Sequence, residues 1–117
     1  MITGMHALMY SADAAADRAF LRDVLGFKHV DDGDGWLIFK LPPSEVGVHP
    51  ADGAESHHEL FLMVDDIAAT VADWRERGIE ITHEPADRGF GILAMIRMPS
   101  GAELGVYEPR HAVAHSL

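Results

Sequence analysis

The two halves of this 117-residue chain carry the same short pattern near their ends. The segment Glu45–Pro50 reads Glu-Val-Gly-Val-His-Pro, and Glu103–Pro109 reads Glu-Leu-Gly-Val-Tyr-Glu-Pro. Each copy follows a run in which apolar residues flank a basic one and a proline comes next, Ile38–Pro43 in the first half and Met95–Ser100 in the second. Because the copies lie about half a chain apart, we infer an internal duplication.

The repeated unit predicts an α+β fold of two tandem βαβββ modules. In each half an apolar strand-like run is followed by a helical pattern that ends at a glycine, Gly26 or Gly78, and then by three further strand-like runs. Neither half has enough surface to bury a core alone. We therefore expect one domain over residues 1–117, with modules at about residues 4–50 and 57–109.

Polar residues mark where the helices start and where one hairpin turns. Ser11 or Asp13 is expected to cap the first helix, and Asp65 or Asp66 the second, because short polar side chains accept hydrogen bonds from the free N–H groups of a first helical turn. The run Asp32–Gly35 is typical of a turn between two strands.

The composition excludes several classes of partner. A formal net charge of −10 argues against binding to nucleic acid and to anionic membrane surfaces, which both require an excess of Lys and Arg. The chain has no cysteine, so it has neither disulfides nor thiolate metal ligands. The N-terminal residues lack the basic and apolar regions of a signal peptide, and no apolar run is long enough to span a bilayer. We expect a cytoplasmic protein.

The duplicated strand–helix–three-strand unit resembles the vicinal oxygen chelate superfamily, which includes glyoxalase I, bleomycin-resistance proteins and extradiol dioxygenases. The segments that carry the resemblance are His6, Asp17–Phe27, Met63–Ile67 and Pro99–Leu104. The resemblance implies eight strands curled into a half-open barrel, with the helices on its outer face and the site on its concave face. It also implies a homodimer, because a second copy can cover the exposed strand edges.

Metal-using members of that superfamily take four ligands from the first and last strands of the two units. The matching positions are His6 and Glu59 on the first strands, and Gly47 and Gly105 on the last strands. Glycine offers no side-chain ligand, so half of the set is missing. His49 lies on the same predicted strand face as Gly47, and with His6 and Glu59 it forms an alternative set for Fe, Mn, Ni, Co or Zn. That set requires a shift of about 6.6 Å along the strand.

Without a metal, His6 and Glu59 are expected to pair across the two first strands. Such a pair is suited to binding a polar group or to general acid/base catalysis, and a structural contact is the alternative. Gly47 and Gly105 would let a ligand approach the sheet closely, or would instead mark a bulge or bend. The other residues expected to line the concave pocket are Tyr10, Trp36, His49, Phe61, Met63 and Tyr107.

The sequence thus favours a glyoxalase/bleomycin-resistance/dioxygenase-like protein that binds a small organic ligand and needs no cofactor. The alternative is a divalent-metal-dependent lyase/isomerase or dioxygenase that uses His6 and Glu59. A third hypothesis is a metal-free enzyme with the same two residues as its acid and base.

Overall fold

The computed structural model describes residues 6–45, 47–48, 50, 53 and 58–117. In this part of the chain neither helix is long and apolar enough to cross a membrane. The elements in chain order are α1 (Ala14–Ala19), which continues as a π-helical segment (Phe20–Val24), β1 (His29–Asp31), β2 (Leu37–Phe39), β3 (Phe61–Met63), α2 (Ile67–Glu76), β4 (Ile81–Asp87), β5 (Gly91–Arg97) and β6 (Glu103–Pro109). The fold is mixed α+β, as the sequence predicts.

Both helices begin and end at residues that the sequence singles out. The carboxylates of Asp13 and Asp66 each accept a hydrogen bond from the backbone N–H three residues further on. Gly26 and Gly78 follow the helices with φ values of 72° and 81°. These are left-handed conformations that glycine adopts without strain, so the chain can turn away from the helix there.

The second half forms the predicted βαβββ module. Its strands pair in the order β3-β6-β5-β4, so the first strand of the module lies beside the last one. β3 runs parallel to β6, while the β4–β5 and β5–β6 pairs are antiparallel. α2 connects β3 at one edge of the sheet to β4 at the other edge, and the two antiparallel turns from β4 to β5 and from β5 to β6 then bring β6 beside β3 in the same direction.

The first half forms only part of the same module. β1 and β2 make an antiparallel hairpin around the turn predicted at Asp32–Gly35, where the carboxylate of Asp31 accepts a hydrogen bond from the N–H of Gly33. Residues 6–10 are exposed and do not form the predicted first strand. The predicted last strand, Glu45–His49, is not formed at residues 45, 47 and 48; Val46 and His49 lie outside the described residues.

The expected eight-stranded half-open barrel is not confirmed: the described part of the chain forms six strands in two separate sheets. A strand requires a neighbour for its backbone N–H and C=O groups. In the second half β6 supplies that neighbour to β3. Two consecutive prolines, Pro42 and Pro43, precede the equivalent segment of the first half, and among the described residues no strand lies beside residues 6–10.

The core lies between the helices and one face of the four-stranded sheet. α2 contributes Ile67 and Val71, and the first helical stretch contributes Phe20. Alternate residues of β5 and β6 point to the same side, because side chains alternate along a strand. The other buried members of this core are Ile79, Ala94, Ile96, Met98, Leu104 and Val106. The opposite face of the sheet is left without a helix in the described residues.

Asp17 joins α1 to the turn between β5 and β6. It is only 7% exposed, and its carboxylate accepts hydrogen bonds from the hydroxyl of Ser11 at 2.7 Å and the backbone N–H of Ser100 at 3.0 Å. Asp17→Ala is expected to lower the free energy of unfolding by about 2 kcal/mol, because the Ser100 N–H then loses its charged partner. Urea denaturation measures the change.

Asp23 provides the matched control for this substitution. It lies on the same helical stretch but is exposed and pairs with Arg22. Asp23→Ala should leave the unfolding midpoint close to that of the wild type. Equal losses in the two variants would contradict the structural role given to Asp17.

Candidate functional site

The helix-free face of the four-stranded sheet, called here the open face, collects four of the predicted site residues. Phe61 is paired with Gly105, and Met63 with Tyr107, across the β3–β6 ladder. Directly paired residues project from the same side of a sheet. The register therefore places these four positions together, opposite the core.

Gly105 allows the ring of Phe61 to approach the backbone of β6 closely. A Cβ atom built at Gly105 would be 2.6 Å from Cε1 of Phe61, and Gly105 itself is buried. The space left by the missing side chain is thus filled by the protein's own aromatic ring. Gly47, its equivalent in the first half, is exposed and has no heavy atom of the described residues within 4 Å of its Cβ position. The two glycines do not play the symmetric role expected from the sequence.

Tyr107 is the centre of an aromatic cluster on the open face. Its ring makes T-shaped contacts with Phe61 at 6.1 Å and Phe90 at 5.5 Å between centroids, and a tilted contact with His111 at 5.9 Å. Edge-to-face packing is the favoured geometry for such rings. Phe61 and Phe90 remain 40% and 46% exposed. The cluster therefore offers a partly exposed aromatic surface.

A chain of polar contacts holds the C-terminal segment against this cluster. Nδ1 of His111 lies 2.8 Å from the carbonyl oxygen of Ala112, which can only accept, so this nitrogen carries the proton. In the neutral ring Nε2 then accepts a hydrogen bond from the hydroxyl of Tyr107 at 3.1 Å. Glu45 approaches Nδ1 of His111 at 4.0 Å and accepts a hydrogen bond from the N–H of Ala114. The contacts connect the first half to the sheet of the second.

The environment of Tyr107 raises the pKa of its phenol, first through burial and second through the negative charge of Glu45. In a Tyr10→Phe background, where Tyr107 is the one remaining tyrosine, ultraviolet titration should show ionisation at a higher pH in the folded protein than in urea. Because the folded state keeps a proton that the unfolded state releases, stability should fall as the pH rises from about 10 through the raised pKa.

Glu45→Gln tests the second cause of this shift. The variant should reduce the difference between folded and unfolded titrations without abolishing it, since burial is the larger cause. A titration curve that is the same in folded and denatured protein would contradict the described position of Tyr107.

The predicted acid/base pair is not brought together in this structure. His6 lies in the exposed N-terminal segment and Glu59 precedes β3, also exposed. Both residues are described, and no hydrogen bond or ion pair joins their side chains. Tyr10 is 93% exposed in the same N-terminal segment, away from a pocket wall. His49, the third member of the alternative metal set, lies outside the described residues.

Trp36 also lies apart from the open face. It follows the β1–β2 turn, is 56% exposed, and packs beneath the guanidinium of Arg18 at 4.7 Å from the ring centroid. A groove of about 390 Å³ lies along the β1–β2 hairpin. A second groove, of about 320 Å³, lies where the first helical stretch meets the end of β5. Neither is lined by a predicted site residue.

Sequence reasoning missed Phe90, His111 and Glu45 as members of the site. Phe90 lies in the tight connection between β4 and β5, and His111 in a segment without periodicity. Their positions depend on side-chain contacts with Tyr107 that no local pattern encodes. The sequence offers one indication for Glu45, because Glu45 occupies the position in the first repeat that Glu103 occupies in the second.

The second half has the architecture of a βαβββ module with an aromatic open face, in a mixed α+β fold. The sequence profile of the Glyoxalase/Bleomycin resistance protein/Dioxygenase superfamily matches residues 5–106. The chain belongs to this superfamily, as its repeat and motifs indicate. No curated protein matches it significantly.

Solved structures support the same assignment. An antibiotic binding protein, TnmS3, from Streptomyces sp. CB03234 is 25% identical, with 93% of this chain and 98% of that chain covered and a TM-score of 0.66. A lactoylglutathione lyase from Agrobacterium tumefaciens is 22% identical, with coverage of 91% and 92% and a TM-score of 0.66. A superfamily member from Sphaerobacter thermophilus is 20% identical, with coverage of 92% and 98% and a TM-score of 0.62. The two less similar structures inform on the fold alone.

Proposed function

We propose that this protein binds a planar aromatic small molecule on the open face of its four-stranded sheet. The observation that carries the proposal is the ring of Tyr107, which is flanked by Phe61, Phe90 and His111. Each aromatic contact of this type contributes about 0.5–1.5 kcal/mol beyond area burial. The similarity to an antibiotic binding protein adds support.

The polar contacts within the cluster give the ligand an orientation. The Tyr107 phenol keeps its proton at neutral pH, which lies well below its raised pKa, and donates to His111. Its oxygen still has a lone pair that can accept a hydrogen bond from a ligand. The net charge of −10 favours neutral or cationic compounds over anionic ones.

We further infer that the binding needs no metal ion. At the last-strand position of the second module, where a ligating side chain is expected, the ring of Phe61 occupies the space above Gly105. Among the described residues no group of three His, Asp or Glu side chains is arranged to hold an ion. The donor set implied by the superfamily therefore does not fit a metal at Gly105.

Titration with a panel of planar aromatic compounds, acridine among them, tests this function. Calorimetry in the presence of EDTA should show saturable binding of at least one compound, with near-ultraviolet dichroism changes from the aromatic cluster. Absence of binding throughout the panel, or binding that appears only after a divalent metal is added, would count against the proposal.

We also propose that the working unit is a homodimer in which a second copy covers the incomplete first half. Apolar side chains are exposed there, with Leu8 at 63%, Val30 at 64% and Val48 at 96%. Within the described residues, β3 is an edge of its sheet, and residues 6–10 are an extended apolar segment that lacks a strand partner. An open strand edge and an unpaired strand on the same chain complement each other between two copies.

Light scattering coupled to size exclusion should give twice the 12.8 kDa mass of the chain. Leu8→Glu, which places a charge within the proposed contact, should shift the protein toward the monomer. Ala72→Glu, at an exposed position of α2, is the matched control and should leave the mass unchanged. A wild-type monomer at micromolar concentration would overturn the dimer.

A further inference from the structure

A β-bulge in β4 turns two neighbouring polar side chains toward the open face. Ile81 is paired with Ile96 and His83 with Met95, so two residues of β4 advance against one of β5. In such a bulge the side chains of the two residues that oppose one partner residue project to nearly the same side. His83 shares the side of Met95 and therefore of Gly105. Thr82 lies beside it.

Both side chains contact Glu103 at the start of β6. The Thr82 hydroxyl donates a hydrogen bond to Oε2 of Glu103 at 3.0 Å, and Nδ1 of His83 lies 3.2 Å from the same oxygen. Nδ1 of His83 also lies 3.4 Å from the Thr82 hydroxyl oxygen, which gives its own proton to Glu103 and can only accept here, so Nδ1 carries the proton and Nε2 of the neutral ring remains an acceptor. These three residues are called here the Glu103 cluster.

Glu103 makes no ion pair with Arg97, its cross-strand neighbour among the described residues. Arg97 is paired with Glu103 in the β5–β6 register. Its guanidinium is instead bound to Glu80 at 3.0 Å and to the carbonyl of Gly101 at 2.8 Å. The Glu103 cluster therefore combines an anionic oxygen with an imidazole acceptor on the open face, and the side chain of His83 is 59% exposed.

We propose that the Glu103 cluster is a second anchor, which accepts hydrogen bonds from a cationic amine of the ligand while the aromatic cluster binds its ring. Glu103 and Tyr107 lie on the same face of β6, about 13 Å apart along the strand. Phe61 lies over Gly105 between them. The inference rests on the proposed function and specifies its ligand class as planar aromatic compounds that carry a positively charged nitrogen at one end.

Two probes of the same ring system separate the anchor from the aromatic contacts. Acridine is neutral at neutral pH, whereas proflavine carries amino groups at its ends and a positive charge. Fluorescence titration should show that the wild type binds proflavine at least about tenfold more tightly than acridine, equivalent to about 1.4 kcal/mol. Glu103→Gln should remove most of this preference and leave acridine affinity within about threefold.

Glu84→Gln is the matched control. Glu84 is the residue after His83, but its side chain pairs with Arg75 of α2 on the helix side. The two variants have the same net charge, so general attraction of cations by an acidic protein lowers affinity equally in both. Glu84→Gln should keep the preference for proflavine.

The outcomes of these titrations test the second anchor and the aromatic binding separately. If acridine and proflavine bind equally to the wild type, or if both glutamate variants lose the preference together, the second anchor is wrong while aromatic binding stands. If neither probe binds, the aromatic site and the anchor that depends on it fall together. Loss of the preference in Glu103→Gln alone, with acridine binding retained, supports the anchor.

Discussion

Gly91→Ala is expected to lower the free energy of unfolding by about 3 kcal/mol, more than the same substitution at Gly105 or Gly47. A Cβ atom at this position would lie 2.5 Å from the carbonyl oxygen of Glu108 and 2.8 Å from the ring of Tyr107. The carbonyl belongs to the backbone of β6 and cannot move without disturbing the β5–β6 ladder. Urea denaturation gives the magnitude, and near-ultraviolet dichroism reports the displacement of Tyr107.

Two other glycines set the scale for this result. At Gly105 the obstacle is the half-exposed ring of Phe61, which can rotate away, so Gly105→Ala should cost about 1–2 kcal/mol. Gly105→Ala made in a Phe61→Ala background should lose little of that stability, because the ring that obstructs the new methyl group is absent. Gly47→Ala meets no described neighbour and should change stability by less than about 1 kcal/mol. Equal losses at all three positions would show that the described packing of β6 is wrong.

Tyr107→Ala is expected to weaken binding of an aromatic probe such as acridine by about 30- to 100-fold, equivalent to about 2–3 kcal/mol. The substitution removes the ring that contacts Phe61, Phe90 and His111, so the remaining rings lose their common neighbour. Tyr107→Phe keeps the ring and should retain most of the affinity. Calorimetric titration measures both variants, with far-ultraviolet dichroism as the check on folding.

Trp36→Ala is the control for the position of the site. Trp36 is an exposed aromatic residue in the first half, against Arg18 and apart from the open face. Its removal should change the affinity by no more than about threefold. A loss as large as that of Tyr107→Ala would place the ligand on the β1–β2 hairpin instead.

The predictable parts of this fold are those that short patterns encode. Asp13 and Asp66 cap their helices, and the alternation along the strands correctly places Phe61 and Met63 on one face. The order of elements in the second module, one strand, one helix and three strands, is the order that the repeat predicts. Each of these features depends on residues close in the sequence or on the repeat itself.

The features that escaped prediction depend on contacts between distant residues. The ring of Phe61 over Gly105 is a rotamer choice made across two strands, and the bulge at Thr82 shifts the alternation that would otherwise place His83 with the core. His111 reaches the site through a hydrogen bond to Tyr107 from a segment without periodicity. In the first half, a pattern that folds in the second module leaves residues 6–10 unpaired, because pairing is a property of two strands together.

The link between α1 and the far end of the second module bears on how the duplicated chain became a single unit. Phe20 belongs to the same core as Ile79 and Met98, and Asp17 binds the backbone of Ser100. Side chains of the first half therefore cover one end of the core of the second half. Residues 58–117 alone would leave the part of the core that Phe20 covers exposed to water, so the second half is not expected to fold stably without the first.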